Sequence, residues 1–177
     1  FYDLKADLEA LLAPRVATFR KVNHPALHPG RAAEVVLDGQ VIGVLGELHP
    51  QWVQKYDLPA APVLFEVALD ALLTCAVVKG QPVSRFQPVR RDLALVMDES
   101  VEAGSLLAAF QALALPGVTG VGLFDVYRGK GLEEGKKSLA FKVLMQDTAK
   151  TLTDAEVDAA VQAIIDCAAL QGASLRL

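Results

Sequence analysis

The spacing of apolar residues changes along the chain, and each change marks an element. Leu4, Leu8 and Leu11 recur at helical spacing among charged residues, so residues 1–13 read as an amphipathic helix that Pro14 ends. Asn23-His24-Pro25 and His28-Pro29-Gly30-Arg31 carry turn chemistry and read as a loop. Two apolar runs follow, Glu34–Leu37 and Gln40–Leu45, joined by Asp38-Gly39, the signature of a type I′ hairpin. A short helix is expected near Gln51–Tyr56, before Pro59 and Pro62. Val63–Val67 reads as a buried strand and Asp70–Leu73 as a helical turn.

Composition shifts at Lys79-Gly80-Gln81-Pro82, which is taken as a domain boundary separating residues 1–80 from 83–177. Beyond it the pattern predicts a strand at Arg91–Met97, then a helix at about Val101–Leu113 with Ser100 as its cap. Strands at Val118–Tyr127 and Lys137–Gln146, a helix at Asp154–Gln171 and a short strand at Ala173–Leu177 complete the series. Leu106, Phe110 and Leu113 form the stripe of the first helix; Val157, Val161, Ile164 and Ala168 form that of the second. Thr153 and Glu156 make a capping box, and Gly172 is placed to end the helix. The order βαββαβ predicts a ferredoxin-like α+β sandwich, with two helices on one sheet face and the other face open.

The central hairpin of that sandwich has two unlike faces. Leu123, Asp125 and Tyr127 alternate with Phe124 and Val126; Ser138, Ala140 and Lys142 alternate with Leu139, Phe141 and Val143. Phe124, Val126, Leu139, Phe141 and Val143 are the expected core face. Asp125, Tyr127, Ser138, Ala140 and Lys142 are the expected open face. A ring, a carboxylate, a hydroxyl, small residues and a basic rim suit a flat, polar partner. Single-stranded RNA is one, because its unstacked bases lie on aromatic rings.

Overall charge alters this picture only locally. The 177 residues carry a net charge of −4, so no global field attracts nucleic acid. Positive charge collects in two places: Arg85, Arg90 and Arg91, and then Arg128, Lys130, Lys136, Lys137 and Lys142 around the hairpin tip. At 53% hydrophobic and 21% charged, the chain can bury a core and is not of disordered composition. No apolar run reaches the roughly 20 residues of a membrane span. Cys75 and Cys167 lack metal-ligand spacing and read as reduced core thiols of a cytoplasmic protein. His24, His28 and His49 lie in Pro- and Gly-bearing loops and read as turn residues, not ligands. Phosphate-binding and nucleophile motifs are absent, and Gly129, Gly131 and Gly135 lie between antiparallel strands, so no catalysis and no metal are expected here. The chain begins with Phe1 already in helical pattern, which reads as a piece of a longer protein.

Several segments carry a family resemblance. Phe1–Leu12, Leu27–Ala33, Ile42-Gly-Val-Leu-Gly-Glu-Leu-His-Pro50 and Phe65-Glu66 resemble the late part of bacterial phenylalanyl-tRNA synthetase beta subunits. Arg91-Asp92, Asp125-Val-Tyr-Arg-Gly129, Gly135-Lys-Lys-Ser-Leu-Ala140 and Thr151–Val157 resemble their C-terminal ferredoxin-fold anticodon-binding domain. The resemblance implies that residues 1–80 are the C-terminal portion of an inactive class II synthetase-like domain. It implies an intact (αβ)2 heterotetramer in the cytoplasm, whose alpha subunit attaches phenylalanine to tRNA(Phe) with ATP and Mg2+. The fragment would bind tRNA and not catalyse. By the logic of the two faces, RNA contacts are expected at Arg90, Arg91, Asp92, Asp125, Tyr127, Arg128, Lys137 and Ser138. Two other classes share the element order or its bulk: a small-molecule regulatory domain of ACT type, and a purely structural oligomerisation piece. The basic residues sit around the hairpin and not at strand–helix loops, which favours RNA over the ACT type.

Overall fold

The computed structural model describes residues 1–74, 78, 80 and 83–176. Two compact units are present, Phe1–Gly80 and Gln81–Leu177. Cys75 and most of the expected boundary at Lys79–Pro82 lie outside the described residues.

The first unit opens with α1 (Tyr2–Leu12). Leu8 and Leu12 are buried and Leu4 packs beside them, whereas Leu11 is 56% exposed. Positions three and four apart are both neighbours on a helix; here the sheet selects the series in fours, so Leu12 takes the place expected for Leu11. The sheet runs β1 (Thr18–Lys21), β2 (Leu27–Leu37), β3 (Gln40–Leu48), β4 (Val63–Val67), all antiparallel and in that order. Asp38 and Gly39 turn β2 into β3 with φ of 51° and 80°, as the Asp-Gly signal requires. Strand structure at Thr18–Lys21 and Leu27–Ala33 replaces the expected loop. Both stretches lack clean alternation, and the register shifts between Leu27 and Ala32; main-chain pairing builds them, which side-chain periodicity does not report. β4 is half-buried because it is an edge strand. Short helices α2 (Pro50–Lys55) and α3 (Leu69–Leu73) flank it.

β3 and β4 come close at Gly43. A Cβ there would stand 2.0 Å from the Glu66 carbonyl oxygen and 2.7 Å from the Val67 Cα. Gly43→Ala is therefore expected to force β4 away and to cost about 1–3 kcal/mol or more. Urea unfolding followed through Trp52, the single tryptophan, reports this unit and checks the loss.

The second unit contains β5 (Val89–Asp98), α4 (Ala103–Ala112), β6 (Val118–Tyr127), β7 (Lys136–Met145), α5 (Asp154–Leu170) and β8 (Ser174–Leu175). Its sheet order is β6-β7-β5-β8, antiparallel throughout, which is the ferredoxin-like arrangement. Leu95, Met97, Leu139, Phe141 and Val143 from the sheet meet Leu106 and Phe110 of α4 and Val157, Ile164 and Ala168 of α5. Cys167 packs at the margin of this core as a free thiol. Ser100 does not cap α4: Glu102 holds that position, and the Ser100 hydroxyl donates to Asp98 Oδ1 at 2.7 Å in the preceding turn. Leu113 is the C-cap and lies partly exposed, outside the buried stripe. In α5 the buried member expected at Val161 is Ala160, with Val161 partly covered. Gly172, at φ 77°, turns the chain out of α5 into β8.

The capping box of α5 is complete. Thr153 Oγ1 accepts the Glu156 N–H, and Glu156 Oε2 accepts the Thr153 N–H at 2.9 Å. The hydrogen bond from Lys150, above all, and then those from Thr153 lower the Glu156 carboxyl from 4.5 to about 2. A depressed folded-state value contributes stability above the unfolded pKa, and that contribution is lost as pH falls from about 4.5 to about 2. Glu156→Gln should thus melt below the parent at pH 7, with the two melting curves converging across that acid window.

Candidate nucleic-acid interface

The register of β5, β7 and β6 lays the open sheet face out in rows. From one end they are Arg90–Leu144–Gly120, Asp92–Lys142–Gly122, Ala94–Ala140–Asp125 and Val96–Ser138–Tyr127. Ser174 of β8 extends the last row beside Val96. Two alanines and two glycines make a low floor. Charged and aromatic side chains stand around it.

A β-bulge sets the phase of β6. Leu123 pairs with Phe141, but Asp125 pairs with Ala140, so Phe124 is the extra residue. Leu123 packs into the core and Phe124 is 49% exposed, the reverse of the expected assignment. Beyond the bulge Val126 lies opposite Leu139 but is 40% exposed and outside the core it was expected to join, while Asp125 and Tyr127 share the open face with Ala140 and Ser138.

At one end of the floor, Arg90 Nε and Nη2 donate to Asp92 Oδ1 and Oδ2 at 2.8 and 3.0 Å. This fork raises the Arg90 pKa further above its usual value and holds the guanidinium plane. The guanidinium carbon lies 5.5 Å from the Phe124 ring centroid. At the other end, the Arg176 guanidinium carbon lies 4.9 Å from the Tyr127 centroid, and Tyr127 Oη donates to the Lys130 carbonyl at 2.9 Å, tying the ring to the hairpin tip. Arg176 follows β8 and Tyr127 ends β6, so their contact spans the two strands between. Ser138 lies in that row and is 3% exposed.

The expected contact residues do not all converge. Arg90, Asp92, Asp125, Tyr127 and Ser138 share the open face. Arg91 pairs with Val143 and so lies on the helix-side parity, exposed at the sheet margin. Lys137 is 8% exposed, on the core-face parity, and its ammonium donates to the Glu99 carbonyl at 2.8 Å. Face alternation separates it from Ser138, which charge clustering alone had merged. Arg128 donates to Glu99 Oε1 at 2.7 and 2.9 Å, and these bonds hold the Glu99 carboxyl below the usual range. Asp125 Oδ1 accepts the Val126 N–H at 2.9 Å. Sequence reasoning missed Phe124 and Arg176. An aromatic at a bulge leaves no periodic trace, and Arg176 acts across the sheet from the far edge.

The histidines of the first unit serve turns. Nδ1 of His24, His28 and His49 accepts the backbone N–H two residues on, at 3.3, 3.0 and 3.1 Å. Among the described residues no group of three or more His, Cys, Asp or Glu is placed to hold a metal ion. No described helix is long and apolar enough to cross a membrane.

Comparison with known proteins places these features in a family. Residues 84–176 match the family model described as the ferredoxin-fold anticodon binding domain. Residues 1–69 match the phenylalanyl tRNA synthetase beta chain CLM domain. The chain is 59% identical over 177 residues to the phenylalanine–tRNA ligase beta subunit of Chromobacterium violaceum, covering 100% of the chain and 22% of that protein. It is 54% identical over 167 residues to that of Dechloromonas aromatica, covering 94% of the chain and 21% of that protein. It is 52% identical over 176 residues to that of Neisseria meningitidis serogroup B, covering 99% and 22%. The chain thus spans about a fifth of the length of the curated relatives it matches. With its βαββαβ order, its open face and a match over residues 84–176, more than half of the chain, the chain belongs to the ferredoxin-fold anticodon-binding domain family.

Proposed function

We propose that this chain is the C-terminal part of a phenylalanine–tRNA ligase beta subunit and that its second unit binds the anticodon arm of tRNA(Phe). The open face carries the reading: an exposed aromatic and two arginines stand over a floor of alanine and glycine, matched to unstacked bases and their phosphates. Tyr127, Asp125, Asp92 and Arg90 are its central contacts, with Arg91 and Arg128 at the margin. Ser138 is reached when the Tyr127–Arg176 couple opens. Lys137 is reserved for bracing the Glu99 turn.

Residues 1–80 are read as the C-terminal portion of the inactive class II-like domain and 83–177 as the anticodon-binding domain. In the intact cytoplasmic enzyme the partner would be an alpha subunit in an (αβ)2 assembly, where ATP and Mg2+ serve phenylalanine activation. This chain by itself is expected to give no ATP–pyrophosphate exchange. An ACT-type ligand role is disfavoured because the distinctive residues line the sheet face and not the strand–helix loops.

Titration of the 177-residue chain with a tRNA(Phe) anticodon stem-loop, beside phenylalanine and an unrelated stem-loop, tests the reading. Binding to the anticodon arm should weaken as salt rises, each phosphate contact adding about 0.7–0.9 to the log–log slope. Binding of the amino acid in its place, or affinity indifferent to salt, would contradict it.

A further inference from the structure

Tyr127 is one aromatic on the open face; Phe124 is a second, and the alternation of the strand does not require it. The bulge at Leu123/Asp125 ejects this ring from the core and leaves it half exposed. A large apolar side chain held in water beside a low floor has lost its burial free energy for no packing gain. Its surroundings are organised. Arg90 lies 5.5 Å from its centroid, and the Asp92 fork fixes that guanidinium from the next row. Gly122 and Gly120 put no side chains on the neighbouring stretch of β6.

We propose that Phe124 and Arg90 form a second base-stacking station, which receives a different unstacked nucleotide of the same RNA strand from the one on Tyr127. This rests on the anticodon-arm reading and deepens it. The two rings are three residues apart on one strand, roughly 10 Å at the usual rise, a spacing suited to successive unstacked nucleotides. A flat sheet bearing two aromatics is a known way to hold two or three bases. Arg90 adds a planar cation that can lie along a base or meet its phosphate, a geometry lysine cannot supply. Charge selects RNA over a protein partner at this end of the floor: Arg90 lies over the ring, Lys142 stands in the adjoining row beside Gly122, and Asp92 is already engaged by Arg90.

The test uses the 177-residue chain and tRNA(Phe) anticodon stem-loops carrying 2-aminopurine at successive loop positions. Phe124→Leu keeps apolar bulk and removes the ring; Phe124→Ala removes both. Each should melt within a few degrees of the parent and weaken binding roughly five- to 150-fold, the range for losing one base–aromatic stack. The fluorescence change lost in Phe124→Leu should belong to a different nucleotide from the one lost in Tyr127→Ala. Arg90→Lys should also weaken binding while leaving the salt slope unchanged. Parent-like binding by Phe124→Leu overturns the second station, as does loss of signal at the same nucleotide for both rings. A Phe124→Ala chain that melts far below the parent overturns it too, since the ring would then belong to the core. If the parent itself does not bind the stem-loop, the anticodon reading fails first. If the parent binds and Tyr127→Ala alone is weakened, only the second station fails.

Discussion

Phe141→Ala is expected to destabilise the second unit by about 3–5 kcal/mol, the usual cost of deleting a buried phenylalanine ring. Phe141 is fully buried at the centre of the sheet, paired with Leu93 on one side and Leu123 on the other. Its ring meets Phe110 of α4 edge to face, with centroids 5.4 Å apart and planes at 88°. The β7 strand on which it sits is hydrogen-bonded on both edges, so the sheet cannot collapse into the vacated space without breaking ladder pairs. Trp52 belongs to the first unit and is silent here, so the loss must be read by circular dichroism or by amide resonances of β5 and β7. RNA binding should disappear only where the unit unfolds. A variant that folds normally and still loses RNA would place Phe141 at the interface, against its burial.

Tyr127→Ala is expected to do the opposite. The ring is 38% exposed and contributes little to the core, so the melting temperature should move slightly. Anticodon-arm affinity should fall by about 1–3 kcal/mol, the scale of one base–aromatic stack. Tyr127→Phe separates the ring from its hydroxyl: it breaks the bond to the Lys130 carbonyl and frees the hairpin tip, yet should retain most RNA affinity. If Tyr127→Ala melts as badly as Phe141→Ala, the two sheet faces are interchanged. If it binds RNA like the parent, the open face is not the recognition surface.

Much of the second unit was legible in the sequence because its signals are local and agree. Thr153 and Glu156 cap α5, Gly172 ends it, and Leu139, Phe141 and Val143 alternate cleanly on a strand. Where side chains do not report the backbone, reading failed. The β1 strand is held by main-chain pairing without clean alternation, and the start of β2 runs through Pro29 and Gly30. Leu11 and Leu12 satisfy the same helical stripe, and only the sheet beneath α1 chooses between them. For the candidate site, face alternation correctly brought Asp125, Tyr127 and Ser138 together, but clustering by charge drew in Lys137, whose ammonium is bound to the Glu99 turn. Phe124 was assigned to the core because strict alternation has no place for an extra residue.

That extra residue makes strand length itself a determinant of what the sheet presents. Without a bulge, the residues from position 125 onward would be half a period out of step: Tyr127 would leave the Ser138 face, and Val126, itself half exposed at this end of the strand, would take its place there. A single-residue insertion or deletion between Gly122 and Tyr127 therefore acts like a frameshift in side-chain space. It would invert the chemistry of one half of β6 while leaving every residue type intact. Relatives that differ by one residue in this segment need a compensating bulge nearby to keep a tyrosine on the same surface, and alignments that place a gap elsewhere will pair an outward ring with an inward one.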